Sequence, residues 1–199
     1  NRYDGYEFTV FKHDPADPKT LNDNFILSIA EDTSGTLWIR TQNSPTMLNR
    51  FDRVTGTFSQ VPRESVTLPR ARMNSVKPDF VEPSGVRWHG EIGEGLTRFD
   101  PATGKTTAYK HDPANPKSLI DDRVYSIYGD HLGTIWIGTK EGLDRFDAKT
   151  GTFVHYRHDD SNPNSLSDNW VWPIMEDRSG VLWVGTYRGG LNRLDRATG

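Results

Sequence analysis

The chain of 199 residues carries 24 Lys and Arg against 27 Asp and Glu, with 18 Gly, 12 Pro, six Trp and no Cys. A formal net charge of −3, without any basic run, excludes a surface built to neutralise nucleic-acid phosphates. The lack of Cys excludes thiol catalysis, disulfides and Cys-based zinc sites, and no apolar stretch approaches the roughly 20 residues of a spanning helix.

Frequent Gly and Pro beside 11% aromatics predict many short strands joined by turns. In chain order, Asn1-Arg2-Tyr3-Asp4 reads as the end of a strand, and Tyr6–Phe11 as a strand of its own. No basic-then-apolar leader precedes them, so an exported protein would be represented by its mature part. The linker His13–Leu21 follows, then an apolar strand from Phe25 to Ile29 that ends in Glu31-Asp32. An Asp-x-x-Gly turn leads to a second strand around Leu37–Ile39. Asn49-Arg50-Phe51-Asp52 forms a third strand, and Thr55-Gly56 turns it into a fourth.

This set then recurs. Trp38, Trp88, Trp136 and Trp183 are spaced 50, 48 and 47 residues apart, each three residues after a Gly. The Arg column at 50, 98, 145 and 193, and the Thr-Gly pairs at 55, 103, 150 and 198, keep the same spacing. The His13 linker returns at His111–Leu119 and His158–Leu166. A four-stranded antiparallel unit repeated every 40–50 residues or so is the pattern of a propeller blade. The expected fold is all-β, a β-propeller of about four blades. The units run approximately 21–67, 68–118, 119–165 and 166–199, the last completed by 1–20. Three closures fit: a four-bladed ring, a homodimer by strand exchange, or an arc of a larger ring.

The runs Ser167-Asp168-Asn169, Glu176-Asp177, Gly180–Thr186 and Gly189–Arg193 resemble the two-component regulator propeller repeat. The resemblance covers nearly the whole chain. It implies a periplasmic or extracellular sensor region of a bacterial signalling protein, working with other domains of a membrane sensor. It implies no cofactor. Two units depart from the pattern. The first has Arg40 where the third and fourth have Gly138 and Gly185, and the second has Asp79 and His89 at apolar positions.

The repeated columns read as structure. The Trp column packs between blades, the Arg column pairs with nearby Asp residues, and Glu31-Asp32 and Glu176-Asp177 bond the hairpin turns. His13, His111 and His158 sit once per blade, too far apart to share a metal. No catalytic triad, phosphate loop or cofactor fingerprint is present. An alternative enzyme, a lyase or hydrolase resembling streptogramin lyase, would have to draw on His89 and His131 at the channel. A protein-interaction scaffold is a third reading.

Binding is expected in what does not repeat. The loop entering the first strand and the loop between strands two and three share one face around the channel mouth. They supply the candidate ligand residues Asn24, Phe25, Asn43, Glu91, Arg123, Lys140, Asn169, Trp170, Tyr187 and Arg188. Aromatic and hydrogen-bonding groups in a concave mouth fit a small polar ligand or oligosaccharide. Trp170 and Tyr187 are the leading pair.

Overall fold

In a computed structural model, residues 7–42, 46–66 and 79–195 are described. Among the described residues, sixteen strands form four antiparallel sheets. β1 is Glu7–Phe11. The first sheet holds β2 (Ile26–Glu31), β3 (Leu37–Thr41), β4 (Met47–Asp52) and β5 (Thr57–Pro62) in that order. The second holds β6 (Asp79–Val81), β7 (Arg87–Glu91), β8 (Gly95–Asp100) and β9 (Lys105–Tyr109). The third holds β10 (Val124–Gly129), β11 (Ile135–Thr139), β12 (Leu143–Asp147) and β13 (Thr152–Tyr156). The fourth is β14 (Val171–Glu176), β15 (Leu182–Thr186) and β16 (Gly190–Asp195), with β1 paired to the outside of β16. Phe8 faces Leu194 and Phe11 faces Leu191 in that ladder, so the two ends of the chain build one blade.

The repeated columns explain why each blade folds. Within each sheet the Trp stands directly opposite the Arg of the next strand: Trp38 with Arg50, Trp88 with Arg98, Trp136 with Arg145, Trp183 with Arg193. The Trp indole N–H donates to the carboxylate that opens the hairpin turn. The acceptors are Asp32 at 2.8 Å, Glu82 at 2.6 Å, and Asp130 and Asp177 at 2.7 Å. The second oxygen of each Asp takes two backbone amides of the turn, from Ser34 and Thr36, Leu132 and Thr134, or Ser179 and Val181. In three of the blades one carboxylate thus fixes both a turn and the core tryptophan six residues beyond it.

The linkers are fixed in the same repeated way. The rings of His13, His111 and His158 bond through Nδ1 to the carbonyls of Leu21, Leu119 and Leu166. Each of those leucines is fully buried.

Core clusters join the blades. One packs the third sheet on the fourth, with Trp136 among Ile174 and Val184. A second packs the fourth on the first, with Trp183 among Ile29 and Ile39. A third packs the second on the third, with Trp88 among Ile127 and Ile137. The rule is one Trp per blade against an aliphatic cross-strand pair of the next. A polar clasp accompanies it at two junctions: Glu31 accepts the amide of Arg178 at 2.9 Å, and Glu176 that of His131 at 2.8 Å.

Among the described residues, no such cluster joins the first sheet to the second, and three substitutions account for this. The aliphatic pair is replaced by Asp79 and His89, hydrogen-bonded to each other at 2.5 Å and both about half exposed. Val81 stands at the clasp position and is 60% exposed. Arg40 stands where the equivalent Gly138 and Gly185 allow the next blade's Val171 and Ile26 to press against the strand. The sheets therefore run second, third, fourth, first, without a packed junction between the first two.

One buried pair couples this architecture to pH. Asp144 on β12 is fully buried, accepts the Ile120 amide at 2.8 Å and meets His155 Nδ1 at 2.5 Å. His155 Nε2 reaches the Pro116 carbonyl at 2.9 Å. Burial of the ring opposes its charge, but the bond to Asp144, that carboxylate's charge and the Pro116 carbonyl outweigh it and raise the His155 pKa above 6.5. Burial also raises the Asp144 pKa. The folded pair holds its proton to higher pH than the unfolded one, so its stabilisation is full below about 6.5 and lost as pH rises through the folded His155 pKa. Urea denaturation of wild type and His155→Gln is expected to show a gap that narrows from pH 6 to pH 8.5. A gap that widens with pH would contradict this assignment.

A candidate ligand-binding mouth

In the first, third and fourth sheets the entry to the first strand is tied to the loop after the second by one backbone bond: Gln42 N to Phe25 O, Lys140 N to Arg123 O, and Tyr187 N to Trp170 O. An isolated bridge between Ile92 and Arg123 ties the second sheet's loop to the third sheet. These bonds gather the two loop sets at one end of the first strands.

An aromatic cluster forms there from three blades. Trp170 and Tyr187 stack with centroids 4.2 Å apart and planes 15° from parallel. Phe25, from the first sheet, lies 4.2 Å from Tyr187 and 6.3 Å from Trp172. Tyr125, from the third, lies 5.4 Å from both Trp170 and Trp172. All five rings are half-buried, so the cluster keeps solvent-facing surface. Lys140 Nζ stands 5.6 Å from the Trp170 ring centre, and the Arg188 guanidinium 5.3 Å from that of Tyr187. The Trp170 indole Nε1 is buried without a hydrogen-bond partner.

Five of the residues expected from sequence therefore come together: Phe25, Lys140, Trp170, Tyr187 and Arg188. Others have duties within the chain. Asn24 and Asn169 accept the backbone amides of His13 at 2.6 Å and His158 at 2.7 Å, as Asp122 does for His111. Arg123 is clamped by both oxygens of Asp121, at 2.7 and 2.6 Å, and lies 3.4 Å from Glu141. Burial acts to raise the Asp121 pKa, but the Arg123 hydrogen bonds and charge hold it below the usual carboxylate range. Glu91 is exposed at the end of β7, opposite Gly95, and Asn43 lies outside the described residues.

Tyr125 and Trp172 are the members that sequence reading did not single out. Each is at a bulge near the start of its strand, where the register shifts between Val124 and Ser126 or between Val171 and Ile174. The bulge re-aims side chains that simple alternation would assign to a sheet face. Pro173, inside a strand, was the available signal, since proline is tolerated there at a bulge.

His131 sits in the turn after β10, at the opposite end of the blade from the mouth, with Nδ1 2.6 Å from Glu176. His89 lies mid-strand in β7, paired with Asp79.

Comparison with known proteins finds a repeat match and several solved structures of similar fold. No curated protein sequence matches the chain significantly. Among solved structures, the extracellular domain of BT4673 from B. thetaiotaomicron, described as a hybrid two component system, is 24% identical with a TM-score of 0.48. That match covers 87% of this chain and 22% of BT4673, so the chain spans about a fifth of its neighbour's length. The extracellular domain of BT3049, from the same organism and similarly described, is 23% identical with a TM-score of 0.35, covering 96% of this chain and 29% of the other. Virginiamycin B lyase from Staphylococcus aureus is 20% identical with a TM-score of 0.42, over 92% of this chain and 53% of the lyase. Residues 20–43, 118–141 and 165–188 each match the two component regulator propeller family, from the linker leucine through the second strand of the first, third and fourth sheets. These three stretches are therefore similar to the two component regulator propeller repeat, once in each of the three sheets.

Proposed function

We propose that the chain is a non-enzymatic, extracytoplasmic ligand-binding propeller that takes a saccharide at its aromatic mouth and reports occupancy to other domains of a membrane sensor. The observation that carries the reading is the convergence of Phe25, Tyr125, Trp170, Trp172 and Tyr187 from three blades at one loop face. Half-exposed rings offer flat apolar faces to the C–H side of a sugar. Because the rings come from the first, third and fourth sheets, a ligand bridging them would bias how those blades sit against one another. That supplies a physical route from occupancy to signal.

Isothermal calorimetry against a panel of oligosaccharides tests this reading. Binding is expected for at least one class, and Trp170→Ala is expected to weaken it by about thirty-fold, the loss of a central aromatic anchor. Unchanged affinity in the folded Trp170→Ala protein, or no binding anywhere in the panel, would sink the proposal.

A further inference from the structure

We infer that the mouth selects an acidic saccharide, a sugar chain bearing carboxylate or sulfate groups, over a neutral one; this rests on reading the mouth as a saccharide site. Most cations of the molecule that have a carboxylate neighbour use it. Arg53 pairs with Glu31 and Asp177, Lys110 with Glu94, Arg178 with Glu31, and Arg123 with Asp121 and Glu141. Lys140 and Arg188 are set apart by their place over the stacked rings. Among the described residues neither has a carboxylate within ion-pair distance, and both instead lie against the stacked rings of Trp170 and Tyr187. The acidic residue nearest in sequence to Lys140, Glu141, is turned to Arg123.

The two positive charges thus flank one ring pair from two different blades, Lys140 after β11 and Arg188 after β15. Ring faces hold these side chains by cation–π attraction without cancelling their charge. Their remaining N–H groups are donors only, and among the described residues no carboxylate stands within ion-pair distance of them. Ionised oxygens of a uronate or sulfate satisfy such a donor set with charge-assisted bonds, whereas a neutral hydroxyl leaves the charges uncompensated. The rings of Phe25, Tyr125 and Trp172 remain for the apolar face of the sugar.

The test compares trigalacturonate and a sulfated disaccharide with neutral galactotriose by calorimetry, at 50 and 500 mM NaCl, on the full chain. The inference expects at least one acidic probe to bind tenfold or more tighter than galactotriose, with the difference shrinking at high salt. It also expects Lys140→Gln/Arg188→Gln to remove that advantage, so that the acidic and neutral probes bind the double variant alike. Near-ultraviolet circular dichroism checks that the double variant is folded. Galactotriose binding as tightly as both acids, indifferent to salt and to the double substitution, would overturn the acidic preference and leave the saccharide reading standing. Failure of all three probes to bind would overturn the acidic preference. Failure across the wider panel would overturn both.

Discussion

Asp177→Ala is expected to destabilise the protein by about 3 kcal/mol, the cost of leaving a buried donor and its neighbours unpaired. The carboxylate is buried, and one oxygen accepts the fully buried Trp183 indole at 2.7 Å. The other takes the amides of Ser179 and Val181, and Arg53 reaches across from the first sheet at 2.5 Å. Alanine removes an intra-turn lock, a core hydrogen bond and a contact between blades in one step. Asp52→Ala is the comparison. Asp52 is exposed and accepts the turn amides of Val54 and Thr55 without any tryptophan, so its loss should be clearly the smaller of the two. Urea denaturation followed by tryptophan fluorescence reads both, and equal losses would show that the indole bond contributes nothing. The same carboxylates set the acid limit of the fold. Burial acts to raise the Asp32 pKa, but bonds from Ser34, Trp38 and Thr36 overcome it and hold the group down at about 2, against an ordinary 3.8. Asp177 is lowered in the same sense. Their stabilisation is complete above about pH 4 and lost as pH falls through the folded values.

Gly185→Val is the second substitution with a large effect, expected at about 3 kcal/mol or more through overpacking. A Cβ at Gly185 would lie 2.5 Å from Pro173 Cγ and 2.7 Å from Ile26 Cβ, the residue that opens the first sheet. Neither neighbour has a flexible far end that can swing away, so the fourth and first sheets would have to separate. Ser59→Val, on the exposed outer strand β5, should stay within about 0.5 kcal/mol because valine suits a strand and meets open solvent there. Thermal unfolding distinguishes the two, and a Gly185→Val protein as stable as wild type would refute the close approach of these blades.

What repeats was legible from sequence because each blade restates the same physical need. Trp183 and Asp177 could be assigned to core and turn on their recurrence at Trp38 and Asp32 alone, and the sheets place them so. The pairing of Tyr6–Phe11 with the last unit was likewise readable as one of three closures, and β1 lies on β16 of the same chain. At the mouth, Trp170 and Tyr187 were visible because nothing repeats them. Asn24, Asp122 and Asn169 carried the opposite message: an Asx side chain at the same position three times marks a shared backbone duty, here the capture of the linker histidine amide. Tyr125 and Trp172 were hidden because a bulge breaks the two-residue period on which strand faces are read. The change at Arg40 was noticed as a departure, but its consequence depends on how closely Gly138 and Gly185 approach the neighbouring blade. Only three-dimensional proximity supplies that.

The ladder between β1 and β16 also governs the order in which the molecule can assemble. Three sheets form from contiguous stretches, each by closing hairpins of a few residues. The fourth joins strands from opposite ends of the chain. Phe8 and Leu194, paired in that ladder, are separated by the other three sheets, so the contact carries a large loop-closure entropy. Phe8 and Leu191 from that sheet contribute to two different core clusters, so that single distant pairing supports both. The other three sheets can form while β1 waits for β16, and until the two meet the unpaired edge of β1 is the surface a chaperone, or another copy, would find.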